Sequence, residues 1–127
     1  LGGKVSRAPS ELGGFYETEL TAEGERDPVL GVLPKRFDAF NANAYMCTVP
    51  PGAAPLAVGP VPQAYRVGER AWGVQFHPEI RRDHVLRWFG DGSAVPREQI
   101  AAQLDEKLDG WQDLGRRLLR AFLAAAS

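Results

Sequence analysis

Hydrophobic positions come in short runs broken by glycine and proline as far as Phe76, then recur at helical spacing. Phe15-Tyr16-Glu17-Thr18-Glu19-Leu20 alternates apolar and polar side chains, the period-2 pattern of a half-buried strand. Lys4-Val5-Ser6-Arg7 predicts a shorter strand, and Ala8 to Gly14, with Pro9, Gly13 and Gly14, reads as a loop. Thr21 to Pro28 is polar and turn-rich, and Val29 to Leu33 is a brief apolar stretch closed by Pro34. Phe37 to Phe40 predicts another strand, Asn41 to Cys47 follows without a helical period, and Pro50-Pro51-Gly52 is a break. Three strand-like pieces come next: Pro55 to Val58, Gln63 to Val67 and Arg70 to Phe76. A tight turn at Gly68-Glu69 would join the last two as an antiparallel hairpin.

From Pro78 the period changes. Ile80, His84 and Trp88, with Val85 and Phe89 beside them, predict an amphipathic helix ended by Gly90 and Gly92. A second helical region opens near Pro96, a residue suited to a first turn because its missing N–H costs nothing there. Ile100, Leu104, Leu108, Trp111, Leu114, Leu118 and Phe122 form its apolar stripe. Gly110 and Gly115 each weaken a helix by roughly 1 kcal/mol relative to alanine, so a kink or two helices is expected. This tail covers one face of a domain or, with Arg116, Arg117 and Arg120 opposite the stripe, makes a partner or oligomer interface; spacing allows both.

Composition narrows the classes. The length of 127 residues suits one domain, and 14 glycines with 10 prolines favour a loop-rich α/β or β-rich fold over a helical bundle. A net charge of −1 with interspersed signs provides no basic stripe for nucleic acid. No apolar run approaches the ~20 residues that cross a bilayer. The first residues lack a secretory signal, and the single Cys47 rules out an internal disulfide and suits a reducing cytoplasm. No metal-ligand spacing and no phosphate-binding glycine loop is found, so no cofactor is expected.

The chemistry concentrates in Ala71-Trp72-Gly73-Val74-Gln75-Phe76-His77-Pro78-Glu79-Ile80. The apolar run to Phe76 reads as a buried strand. Pro78 disfavours the α conformation for the residue before it, so His77 is expected to stand extended at the strand's carboxyl end, where open α/β sheets bind ligands. Glu79 is expected in the first turn of the following helix, where the dipole favours negative charge and its side chain can turn back to the imidazole. A histidine with an adjacent carboxylate is what a general base needs, although such pairs are often structural.

Gly73-Val74-Gln75-Phe76-His77-Pro78-Glu79 resembles, position for position, the triad-completing signature of class I glutamine amidotransferases. Weaker matches extend back through Ala64-Tyr65-Arg66-Val67-Gly68, Pro50-Pro51-Gly52-Ala53 and Asp27-Pro28-Val29-Leu30 to Leu1-Gly2-Gly3-Lys4-Val5. The resemblance implies an α/β, flavodoxin-like amidotransferase sheet with an antiparallel hairpin portion, here incomplete, followed by C-terminal helices. Residues 1–92 would be the C-terminal half of that domain and 93–127 a helical extension. In the family a cysteine attacks the side-chain amide of glutamine, a histidine activates the cysteine and a glutamate orients the histidine. Ammonia then passes to an acceptor domain or subunit. His77 and Glu79 take the last two roles by this resemblance. Asn43 and Tyr45 fall in a segment bordering the glutamine pocket, Asn43 where many relatives have histidine.

The family's nucleophile, in a Gly-x-Cys-x-Gly turn, has no counterpart. Cys47 has no adjacent glycine and reads as a half-buried strand residue; His84 reads as a helix-face residue. The expectation is a gene fragment or mis-called start that omits the N-terminal half, inactive alone. Its open sheet edge or C-terminal helix would favour a homodimer. Two other readings stand beside it: a non-catalytic amidotransferase-like binding or regulatory module, and a hydrolase of γ-glutamyl amides other than glutamine.

Overall fold

Five strands and three helices, with one 3-10 turn, organise residues 1–127, all of which the computed structural model describes. The strands are β1 (Val5–Leu20), β2 (Arg36–Cys47), β3 (Ala54–Val58), β4 (Pro62–Val67) and β5 (Ala71–Val74), and the helices are α1 (Ala22–Arg26), α2 (Arg82–Trp88) and α3 (Arg97–Ala126). The sheet order is β2-β1-β3-β4-β5, antiparallel at every pairing. The alternating run Phe15–Leu20 forms the regular end of β1, with Thr18 and Leu20 buried between more open Glu17 and Glu19. The hairpin turns as expected through Gly68, although Val67 pairs with Ala71, which leaves three residues in the turn.

Ala8 to Gly14 is not a loop. It lies inside β1, and its proline appears as a disruption of register: Arg7 pairs with Tyr45 and Leu12 with Asn43, so four residues of β1 oppose one of β2. Pro9 has no N–H to give the ladder, and an irregular bulge is where a strand tolerates it. Gly14, at φ 114, lets α3 approach closely enough for Gln103 Oε1 to accept from Phe15 N at 2.9 Å.

The sheet curls on itself. Past β5 the chain keeps one bond to β4, from Gln75 N to Gln63 O at 2.8 Å, and then crosses to the open edge of β2. There His77 N donates to Phe40 O at 2.9 Å, while the Gln75 side chain accepts from Cys47 N and donates to Tyr45 O, both at 3.3 Å. Inside the curl two fully buried amides, Asn41 and Gln63, donate to each other at 3.2 Å, which satisfies polar groups that would otherwise be costly there. β5 is an edge strand with Ala71 and Val74 exposed, not the buried strand its apolar run suggests.

α3 runs 30 residues without interruption, so neither Gly110 nor Gly115 divides it. Its buried Ile100, Leu104, Trp111 and Leu118 close the core against Phe15, Phe37, Phe40 and Phe76. Trp111 stacks on Phe37 at 6.2 Å and meets Phe76 edge-on at 5.5 Å between centroids. Packing of this kind outweighs the helix-propensity cost of two glycines. α2 buries Val85 and, at its C-cap, Phe89, while His84 and Trp88 stay partly in solvent, so its buried face lies one position beyond the predicted stripe.

Candidate functional site

Residues 75–80 form the connection from sheet to α2. Phe76 is buried in the aromatic cluster and anchors the segment from below. His77 is then held on both sides of its own backbone: its N–H donates to Phe40 O of β2, and its carbonyl accepts from Trp111 Nε1 of α3 at 2.8 Å. Three residues on, the carbonyl of the buried Ile80 accepts from Gln112 Nε2 at 3.1 Å. Pro78 and Glu79 make a turn between these anchors.

Glu79 therefore does not belong to the first turn of α2, which begins at Arg82 and has Asp83 as its acidic first-turn residue. A helix starting at Pro78 would need the carbonyls of His77 and Ile80 as i→i+4 acceptors. Both instead accept from α3 side chains, and Glu79 stands in an open turn ahead of the helix.

The pair itself is formed. His77 Nδ1 lies 2.8 Å from Glu79 Oε1, with the imidazole one-third exposed and the carboxylate 65% exposed. A carboxylate can only accept, so the neutral ring bonded to it carries its proton on Nδ1. Nε2 remains as the basic nitrogen, without a partner in the chain. The Trp88 ring tilts against the imidazole at 5.8 Å between centroids.

His77 lines a cleft of about 340 Å³, bounded by the β1 bulge (Leu12, Gly13), by Asn43 of β2, by Trp88, and by Ala94 and Val95 ahead of α3. Asn43 and His77 thus share one cavity. The Asn43 amide donates to Asn41 Oδ1 at 2.9 Å and to Gln75 O at 3.4 Å, which ties the cleft floor to the buried Asn41–Gln63 pair. Tyr45 lies outside the cleft lining, 53% exposed, its ring 5.6 Å beneath the Arg7 guanidinium. Cys47 ends β2, half-buried, and lines a different small cavity of about 70 Å³ with Gln63 and Tyr65. His84 sits on α2, 3.6 Å from Asp83. No three His, Cys, Asp or Glu side chains come together in a way that could hold a metal ion. Trp111 and Gln112 escape a reading of the sequence, because the stripe marks them as helix residues and says nothing of the carbonyls they reach.

No protein-family model matches the sequence, and comparison with curated proteins finds no match. Solved structures do match. A glutamine amidotransferase from Methylobacillus flagellatus superposes with a TM-score of 0.79 at 17% identity over 99% of this chain and 57% of that one. A glutamine amidotransferase from Thermotoga maritima gives 0.76 at 19% identity, over 95% and 55% respectively. A protein from Thermoplasma acidophilum, assigned to GMP synthase as one of its subunits, gives 0.65 at 16%, over 98% and 49%. The chain has a glutamine-amidotransferase-like fold. The curled antiparallel sheet with its C-terminal helices is part of that flavodoxin-like architecture, and the chain spans about half the length of the structures it matches. No helix is long and apolar enough to cross a membrane.

Proposed function

We propose that this chain is the portion of a class I glutamine amidotransferase domain that supplies the base and its orienting acid, residues 1–92 being the domain's C-terminal half and 93–127 its helical extension. The observation that carries the reading is the 2.8 Å contact between His77 Nδ1 and Glu79, in a turn fixed at both ends, beside a cleft. The thiol is supplied from outside this segment, since Cys47 faces a separate cavity. In the reaction Nε2 of His77 takes the thiol proton, and the thiolate attacks the amide carbon of glutamine. The tetrahedral intermediate collapses to a cysteinyl thioester as His77 passes the proton to the departing ammonia. Water, deprotonated by His77, then hydrolyses the thioester to glutamate. Glu79 holds Nδ1–H throughout and stabilises the imidazolium. Asn43 and, less directly, Tyr45 border the substrate; ammonia goes to an acceptor domain or subunit in the cytoplasm. A homodimer through the β5 edge or α3 belongs to the same proposal.

Ammonia release from glutamine and from γ-glutamyl amides, assayed with the longest gene product, tests this. His77→Ala should lower the rate by roughly 10²- to 10⁴-fold, and the 127-residue chain alone should turn over nothing. Preference for another γ-glutamyl amide would change the substrate and keep the machinery. Undiminished activity in His77→Ala would defeat the proposal. A non-catalytic binding module is the second reading, supported by the exposed Leu119, Phe122 and Leu123 on α3; it requires no ammonia release from any gene product.

A further inference from the structure

The His77–Glu79 contact at the candidate site is too open to hold itself. A carboxylate 65% in water, paired across one turn, gains little from the pairing and loses side-chain freedom by keeping it. Something else must fix the turn that brings Glu79 back to His77. The candidates are the groups bonded to its backbone, and besides Phe40 O these all come from one short stretch of α3.

Trp111, Gln112 and Gly115 lie on one side of that helix. Trp111 Nε1 takes the carbonyl of His77, Gln112 Nε2 takes the carbonyl of Ile80, and these two bonds straddle Pro78-Glu79. Gly115, one turn beyond Trp111, touches the middle of the same segment: a Cβ there would lie 2.7 Å from Pro78 O. Any side chain at 115 would push the helix off the turn. Gly110, by contrast, has nothing within 4 Å and no comparable reason to be glycine. A helix meant only to cover the core would need the apolar residues Ile100, Leu104 and Leu118 and an aromatic ring at 111. It would have no use for two polar donors aimed at carbonyls three residues apart, nor for a glycine against the proline between them.

We infer that α3 is a clamp on the catalytic turn, with Trp111 its principal positioning residue and Gln112 and Gly115 completing it. By holding the His77 and Ile80 carbonyls the clamp fixes the backbone on both sides of Pro78-Glu79, keeps Glu79 beside the imidazole, and so sets the ring tautomer of His77. This rests on the reading of His77 as a base only for its functional meaning. The geometry of the turn can be read out independently of any activity.

That readout is the imidazole nitrogen spectrum of the 127-residue chain by NMR, in which His84 serves as internal reference for His77. The parent should show His77 in the single Nδ1–H tautomer when neutral. Replacing Trp111 with benzothienylalanine keeps the ring shape and removes the N–H; His77 should then lose its single tautomer and exchange between both, with His84 unchanged. Gln112→Leu should produce a smaller loss of the same kind, and Gly115→Ala should displace the His77 resonances by pushing on the turn from the other side. Trp111→Phe is the simpler change, but it opens space in the aromatic cluster; if it unfolds the chain, the isosteric replacement still decides. Retention of the parent His77 pattern in folded benzothienylalanine and Gly115→Ala proteins would overturn the clamp. Absence of ammonia release with an intact clamp would remove the proposed function and leave this inference in place.

Discussion

Asp27 and Glu79 are both carboxylates paired to nitrogen donors, yet one is sealed in the core and the other stands in water. The Asp27 side chain is fully enclosed and accepts from four directions: Val29 N and Leu30 N at 2.9 Å, Trp72 Nε1 at 3.1 Å and Arg66 Nη1 at 3.1 Å. It joins the 3-10 turn after α1 to β4 and β5, and every contact is spent on shape. Glu79 has one partner, the imidazole, and its remaining capacity faces solvent beside a cleft. A carboxylate saturated with donors has nothing left for chemistry, whereas one that holds a single ring nitrogen can respond when that ring gains a proton. Depth of burial and number of donors therefore separate the structural acid from the candidate functional one, although each is an acidic residue within two positions of a basic one in sequence.

The largest expected effect is on the buried side. Asp27→Asn removes the charge opposite Arg66, whose Nε already lacks a partner, and should cost about 3 kcal/mol in urea unfolding, near the low end for a broken buried pair because Arg66 is partly open to water. A loss below ~1 kcal/mol would mean that Asp27 is no keystone, and the contrast would collapse. Glu79→Gln should do the reverse. Its stability should stay within about 0.5 kcal/mol of the parent, while ammonia release by a thiol-bearing gene product should fall by about 10²-fold or more. Destabilisation of Glu79→Gln to the level of Asp27→Asn would show that this pair, too, is structural.

The smallest effect belongs to a third carboxylate, Asp83, which is exposed in the first turn of α2. A hydrogen bond from Arg81 is the main cause that holds its carboxyl below the ordinary value of 3.8, with the charges of Arg81 and His84 adding to it. A folded-state pKa below the unfolded one means that the unfolded chain binds more protons in the window between them. The small stabilisation is therefore present above the ordinary carboxylate range and is lost as pH falls through the lowered value. Asp83→Asn should shift the urea midpoint slightly at neutral pH and not at all in strong acid, and high salt should erase the neutral-pH difference. A difference that grows toward acid would contradict that sign.

Strands and helices are legible where local period decides them. The alternation from Phe15 to Leu20, the hairpin around Gly68 and the apolar stripe from Ile100 to Leu118 all correspond to elements of the structure. Failures fall where a distant partner overrides the local signal. Pro9 and two glycines suggest a loop, but a bulge opposite Ala44 keeps Ala8–Gly14 in the sheet. Val74 and Ala71 read as buried because nothing apolar in a short run distinguishes an edge strand from a central one. Trp88 reads as core and instead stands beside the His77 ring, half-exposed.

The order His-Pro-Glu, with its restriction on the residue before proline, lies in the chain itself, as do the helical period of the tail and the placement of the hairpin turn. These are short-range properties, and a short window of residues carries them. Where Glu79 stands depends on distant residues: α3 side chains more than thirty positions away hold the His77 and Ile80 carbonyls, and β2 takes the His77 N–H. Hydrogen bonds between such distant residues leave no periodicity in a sequence, so only the folded chain could bring imidazole, carboxylate and cleft together.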